Sequence, residues 1–444
     1  MRMLTVAGVA ALVCAACERG GGAGLAWRTA VSLSSAEASG AAPALAVSAA
    51  GRMTAAWTGA PGGGSDGRLI VRPDVLRSDV AQLQDPMGAL TIYGETPPKL
   101  AYAPDGTLYA AYLLTKAEPG HQWPTNALRF ASSSDGGRHW SSPVTVQADT
   151  THGGSTDDHA LLVAPDGTIY LSWLAIVRDT SHTFVASSRD GGRTWSPPVA
   201  VEPGPSCPCC RTALAAGPDG RVYAAWRRIF AHGDATEVRD VVVASSADRG
   251  LTWSPPAKVH DDAWQVNYCP DAGPTIKVAS DGTLHVAWWT GRPGAAGVRY
   301  TRSEDGGRSF ASPVDLGVAA ASRAAHAQLA LDGARRVIVA WDDGTREVPP
   351  IVVKVSDDGG RTFGAGDTLS APGRSAGYPV VAVARDTLVV AWQERTPAAA
   401  RADSARLARA MASMQGGGGG KSSAAEFINR VGTWAVMMRW AELR

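Results

Sequence analysis

The chain of 444 residues has no excess of either charge: 42 basic side chains face 41 acidic ones, for a net charge of +1. No basic stretch or stripe stands out, which argues against nucleic acid as a partner. Long apolar runs are also missing. The run at 4–13 is too short to cross a bilayer as a helix. Cysteine is scarce at six residues, and the four beyond the N-terminal segment suffice for two disulfides. Gly (50), Pro (28) and Trp (15) are what the chain has in quantity, a mix suited to many short strands joined by tight turns.

Residues 1–24 read as a targeting segment separate from the fold. Arg2 gives a positive start, and the apolar run ends in Cys14-Ala-Ala-Cys17. This resembles a bacterial lipoprotein signal, which implies lipid attachment at Cys17. Cys14 stands where Leu is usual, so an ordinary cleaved signal is the alternative. Glu18, in place of Asp, implies an outer-membrane destination in a Gram-negative host. Residues 20–24 form a Gly-rich tether. The expected product is exported and held at the cell envelope by its lipid alone, facing the periplasm or the outside.

Five copies of one pattern organise the rest. They are Ser133-Ser-Asp135-Gly-Gly-Arg-His-Trp140, Ser188-Arg-Asp190-Gly-Gly-Arg-Thr-Trp195, Ser246-Ala-Asp248-Arg-Gly-Leu-Thr-Trp253, Ser303-Glu-Asp305-Gly-Gly-Arg-Ser-Phe310 and Ser356-Asp-Asp358-Gly-Gly-Arg-Thr-Phe363. The Asp-to-Asp steps are 55, 58, 57 and 53 residues, a period that points to propeller blades. Each turn offers side-chain oxygens to local N–H groups and a Gly for positive φ, and its aromatic folds back as an apolar plug.

A second repeat agrees. Strand pairs ending in an aromatic recur seven times, at 43–57, 99–112, 159–173, 211–226, 274–288, 327–341 and 379–392. Three carry Pro-Asp-Gly turns, at Asp105, Asp166 and Asp219. Each unit reads as strand A, turn, strand B, loop, strand C, Asp turn, strand D. In the first unit, which lacks the Asp turn, strand C is expected at 68–72. Residues 27–33 read as an outer D strand that closes the ring on the last unit. The prediction is an all-β propeller over 25–395, with four-stranded antiparallel blades, seven favoured and six the alternative. Within 396–444, 398–415 is helix-prone and 416–420 is a Gly linker. Apolar residues at 427, 431, 434, 435 and 438 have helical spacing, while Val431, Trp434 and Val436 also suit a missing C strand of blade seven.

Over 25–395 the repeat resembles the Asp-box (BNR) repeat of sialidases and related β-propellers. Sialidases have six blades, a departure here. The resemblance implies a structural role for Asp135, Asp190, Asp248, Asp305 and Asp358, and places function on the opposite face, among the D–A and B–C loops. His121, His152, His159, His232, His260 and His326 fall in or beside those loops. The loop 149–159, which includes Asp157, Asp158 and His159, suits metal binding or acid–base work.

Sialidases hold a carboxylate with three arginines and use a Tyr–Glu nucleophile and an Asp acid. Their first arginine motif is missing, and Ala42-Pro43 occupies its place. Tyr378 matches the nucleophile's position, and Glu394 falls where these enzymes often carry Glu. Arg211, Arg292, Arg323 and Arg374 are candidate carboxylate holders. Trp123, Trp264 and Trp289 are expected to line grooves that stack on sugars or hold a protein.

Cys207-Pro-Cys209-Cys210 and Cys269 precede adjacent blades. Disulfides are favoured for an exported chain, Cys210–Cys269 among them, and a thiolate site for Cu(I) or zinc is the alternative. No cofactor is otherwise expected. The expected function is a glycan- or protein-binding module at the envelope. A glycoside hydrolase of exo-sialidase type using Tyr378 is the alternative, and a metal-binding or redox protein the second.

Overall fold

The computed structural model describes residues 25–34, 39–60, 67–92, 94, 96–116, 125–148, 157–231, 237–266, 268, 270–399, 401 and 434–443. They form seven antiparallel sheets of four strands each. Six blades use consecutive strands, at 39–83, 99–148, 157–200, 213–258, 275–319 and 328–368. The seventh is composite. Its inner strands are Ser375–Ala384 and Thr387–Arg395, its third is Ala435–Glu442 and its outermost is Val31–Ser32. Each innermost strand touches those of both neighbours, and the seventh touches the first. This is the expected all-β propeller with seven blades, ring-closed by an N-terminal strand.

Two details refine the reading. Arg68–Arg72 is the third strand of blade one, as its sequence suggested. The boundary at 395 is corrected, because Ala435–Glu442 completes the seventh blade. Helical spacing there loses to alternation: Val436 and Met438 are buried against the first blade, and Met437 packs towards the sixth. Residues 397–399 and 401 are helical, within the region expected to favour helix; residues 402–433 lie outside the described set.

Local chemistry explains the repetition. In the Pro-Asp-Gly turn of blade two, Asp105 Oδ1 accepts the Thr107 N–H at 2.8 Å, and the Gly106 N–H donates to Ala103 O at 3.0 Å. Each B strand carries a buried aromatic at the same register position: Trp57, Tyr112, Trp173, Trp226, Trp288, Trp341 or Trp392, none more than 3% exposed. Each lies in a cluster shared with the preceding blade. This repeated aromatic is the wedge common to every interface, with about 3–5 kcal/mol at stake for truncating such a side chain.

The Asp boxes lock strands C and D. Ser133 Oγ donates to Asp135 Oδ1 and accepts the Gly137 N–H, both at 2.8 Å. Asp135 Oδ1 also takes the N–H groups of Arg138 and His139, at 3.0 and 2.9 Å. The Trp140 indole closes back onto Gly137 O at 3.0 Å. The serine–aspartate–glycine network recurs at Asp190, Asp248, Asp305 and Asp358. Donors such as the Thr194 hydroxyl and N–H hold the Asp190 carboxyl below the ordinary carboxylate range. Gly360, at φ 81°, lies so close to the preceding blade that a Cβ there would strike the Tyr300 hydroxyl.

Candidate functional site

The face opposite the Asp boxes is built from loops that do not repeat. Strand pairing puts the seven blades in common register: Ala44, Lys99, Ala160, Ala213, Thr275, Gln328 and Val380 each pair with the residue just before the buried aromatic. Two residues earlier stand Ala42, Pro97, Asp158, Arg211, Gly273, His326 and Tyr378, one per blade at the rim of the central channel. Three of these are small or cyclic. The other four are an acid, a guanidinium, an imidazole and a phenol. Asp158 and Arg211 come from adjacent blades, as do His326 and Tyr378.

Three rim residues are left-handed: Ala42 (φ 56°), Asp158 (φ 52°) and Tyr378 (φ 53°). Each sits where the ladder slips register. A left-handed residue with a side chain costs roughly 1–2 kcal/mol. Side chains of the preceding blade hold two of these bulges: the Ala42 N–H donates to Gln393 Oε1 at 2.8 Å, and the Tyr378 N–H points to Asp342 Oδ2 at 3.5 Å.

Asp342 also orients His326. Its Oδ2 lies 2.7 Å from His326 Nδ1, and its Oδ1 accepts the His326 backbone N–H at 2.5 Å. Both side chains are buried. The half-buried Tyr378 ring stacks on the imidazole at 4.1 Å and 29°, and its edge packs on Gly94, where no Cβ would fit. Burial pushes the Asp342 carboxyl up, but the adjacent imidazole and backbone donors outweigh it and hold the group below its usual value. An ionised Asp342 fixes the proton on Nδ1 and makes Nε2 the basic nitrogen. The carboxylate thus holds one edge of the imidazole, and the phenol ring covers its face.

The second cluster is cationic. Lys99, Arg211 and Lys277 line a channel cavity of about 190 Å³. Burial, and then the charge of Arg211, push the Lys99 ammonium down to about 7, with Asp158 opposing. Burial also lowers Lys277. His159 is pushed down to about 3 by burial and by Lys99, and its Nε2 bonds Ala111 O at 3.2 Å, so it is a neutral core residue. A cavity of about 610 Å³ lies on the Asp-box face. It is lined by hairpin turns whose carboxylates, such as Asp281, cap their own backbone, so it carries no comparable chemistry.

Other expectations do not come together. Trp264 and Trp289 are 2% and 1% exposed and meet edge to face at 5.1 Å, so they form core and not a sugar platform. The Arg227 guanidinium beneath Trp264, 5.1 Å from its ring, draws that loop inward. Arg323 and Arg374 are exposed on loops; Arg323 donates to Arg346 O at 2.6 Å, and the Arg374 N–H donates to Ala371 O at 3.2 Å. Arg292 is likewise exposed, in a turn. Glu394 accepts the Trp392 indole N–H at 2.9 Å, which gives it a packing role. His260 pairs with Asp262 at 2.9 Å. Trp123, His121, His152, His232 and Cys269 lie outside the described residues, as do Cys14, Cys17 and the side chain of Asp157.

Asp342, Lys99 and Lys277 were missed by sequence reasoning. Their signal is a charge at register positions that other blades mostly fill with apolar or neutral residues. No disulfide joins Cys207, Cys209 and Cys210. Their ligating sulfurs all lie within 4.8 Å of one another, and Cys207 and Cys210 stand at C-x-x-C spacing within the Cys-Pro-Cys-Cys run.

Residues 83–269 match the family model of the BNR repeat-like domain. No curated protein matches the chain. Among solved structures, a Dyadobacter fermentans protein of unknown function is 16% identical, with TM-score 0.53, covering 95% of this chain and 100% of its own. A polysaccharide lyase, the PL25 ulvan lyase, is 12% identical with TM-score 0.55, covering 80% and 91%. The Hadza microbial sialidase Hz136 is 18% identical with TM-score 0.49, covering 77% and 74%. At these identities the likeness is one of fold. Repeats, blades and the family-model match over 83–269 agree on a seven-bladed β-propeller carrying five Asp-box turns.

Proposed function

We propose that the upper mouth of the channel binds an acidic glycan, with Arg211 and Lys99 holding its carboxylate. The observation that carries this reading is the rim itself. Its reactive side chains, Asp158, Arg211, His326 and Tyr378, stand in one ring with Ala42, Pro97 and Gly273, and Gly273 packs directly on the Arg211 backbone. A guanidinium beside an ammonium in a partly desolvated channel suits a carboxylate. The PL25 ulvan lyase, similar in fold, was solved bound to a glucuronate-containing oligosaccharide, which is compatible with this ligand class. A glycan array carrying uronate, sialate and neutral sugars tests it, read for retention and cleavage. Retention of acidic spots, lost in Arg211→Met, is expected; silence on every acidic spot overturns the reading.

A second reading is enzymatic, favoured by the Asp342–His326 pair with the Tyr378 ring stacked on it. An oriented imidazole next to a phenol is the equipment of acid–base or nucleophilic chemistry at a glycosidic bond. Cleavage on the array, abolished in both Tyr378→Phe and His326→Gln, would establish it. Export and lipid attachment at Cys17 belong to the same proposal, supported by the N-terminal pattern alone. Intact-mass analysis of the membrane fraction would show a lipidated N-terminal cysteine.

A further inference from the structure

The structure assigns a second site to this chain: we propose that Cys207, Cys209 and Cys210 bind a soft monovalent metal ion, Cu(I), behind the channel rim. Cys207 and Cys210 are each 1% exposed, and Cys209 is half-buried. Cys207 Sγ lies 2.9 Å from Cys210 Sγ and 3.9 Å from Cys209 Sγ. Three thiols converge without a disulfide.

The surroundings are built for negative sulfur. Arg239 Nη1 reaches Cys207 Sγ at 3.5 Å and is braced by Glu237 at 2.7 Å and by Tyr268 O at 3.1 Å. Arg227 is 1% exposed, and its hydrogen bonds all go to backbone carbonyls: Arg239 O at 2.8 Å, Ala272 O at 3.1 Å and Trp289 O at 2.6 Å. Its Nε has no hydrogen-bond partner. A guanidinium buried this deeply, held by carbonyls and the Trp264 ring, is costly unless an anion stands near. The Arg239 guanidinium directed at Cys207 Sγ favours negative charge on that sulfur. Arginine charge and thiolate charge therefore satisfy one another.

The donor type selects the metal. The described cluster consists of three sulfurs. Soft thiolates select Cu(I) among the ions such a set admits. Three thiolates and one Cu(I) leave a net negative charge that the two guanidinium groups offset, with Glu237 on the solvent side of Arg239. Binding releases the thiol protons and changes no oxidation state when the ion is supplied as Cu(I). Cys210 directly precedes the rim residue Arg211, so an ion here also fixes the backbone that presents that guanidinium.

The test uses the full chain, reduced under anaerobic conditions and titrated with Cu(I) against a chromophoric Cu(I) chelator. A 1:1 complex is expected, with X-ray absorption showing sulfur alone around the ion. Cys207→Ser and Cys210→Ser should each weaken binding more than about a hundredfold, and Arg239→Gln about tenfold, as loss of an outer-shell partner does. Circular dichroism and melting show whether each variant folds, and the wild-type absorption data do not depend on them. Failure of the reduced protein to compete with the chelator overturns the proposal. So does nitrogen or oxygen in the first shell, or uptake of Zn(II) but not Cu(I).

Discussion

The two faces of the propeller solve the same backbone problem differently. On the Asp-box face the left-handed positions belong mostly to glycine, as in the pairs Gly136–Gly137, Gly191–Gly192, Gly306–Gly307 and Gly359–Gly360; Arg249 within the boxes and Arg385 in the last A–B turn are exceptions. On the opposite face the rim bulges put Ala42, Asp158 and Tyr378 into that conformation. The first face repeats one network five times, and each carboxylate there is spent on its own turn. The second repeats only its backbone and changes the side chain from blade to blade. The difference teaches where to look: backbone strain is retained where a side chain must be presented, and repetition marks what merely holds the ring.

The comparison can be broken hardest from below. Gly360→Ala forces a Cβ against Tyr300 at a positive φ. Strain and overpacking together should remove about 3 kcal/mol, read as a lower urea midpoint, while glycan retention per folded molecule stays unchanged. A loss below about 0.5 kcal/mol would mean that the Asp-box glycines are not structurally required.

The next largest effect sharpens the upper face. Lys99 has a folded pKa of about 7, below its unfolded value near 10.4. Between these values the unfolded chain binds more protons, so this group's contribution to stability rises with pH across that window. The anion-binding charge behaves oppositely, being present below about 7 and lost above it. Retention of an acidic glycan should therefore fall as pH is raised from 6 to 8. Lys99→Arg should flatten that step, and Lys99→Met should weaken binding at pH 6 by about tenfold, a loss of roughly 1.4 kcal/mol. A pH-independent affinity in the wild type would remove Lys99 from the site.

The smallest effect has the unusual sign. Ala42→Gly relieves a left-handed alanine at a rim position without reactive chemistry. Its stability should be unchanged or raised by up to about 1 kcal/mol, where a typical substitution loses about that much. A loss of 2 kcal/mol in urea unfolding would show that the Ala42 methyl, and not its backbone, matters.

The fold was legible because each of its devices is local. The Asp-box turn, the Pro-Asp-Gly hairpin and the closing aromatic each recur at fixed spacing, so periodicity alone gave seven units and the 68–72 strand. The C-terminal strand was ambiguous because 435–442 buries residues on both faces, against the first blade and the sixth, which blurs alternation into helical spacing. The rim was legible by position, since Asp158, Arg211, His326 and Tyr378 all stand at or just before the start of an A strand. Asp342 was not, because its partner His326 lies 16 residues away across a hairpin. Trp264 and Trp289 misled because a tryptophan beside a loop reads as exposed, while the burial of Arg227 beneath it is a tertiary fact. The arginines at 292, 323 and 374 show that a guanidinium on the right face need not enter the site.

The seam of the seventh blade has a consequence for how the protein is made. Val31 pairs with Met438, and the Trp27 backbone bridges to Ala441. The ladder that finishes the ring thus joins segments about 400 residues apart, a separation whose entropic cost grows only logarithmically. Synthesis imposes the greater delay. A nascent chain stopped short of Ala435 has six whole blades and a bare hairpin, with Trp392 and Val389 deprived of their cover from Leu443 and Val436. Such a chain shows an unpaired strand edge to its surroundings. The ring's last open edge is hidden only when residues 435–442 pair with the strands at 387–395 and 31–32.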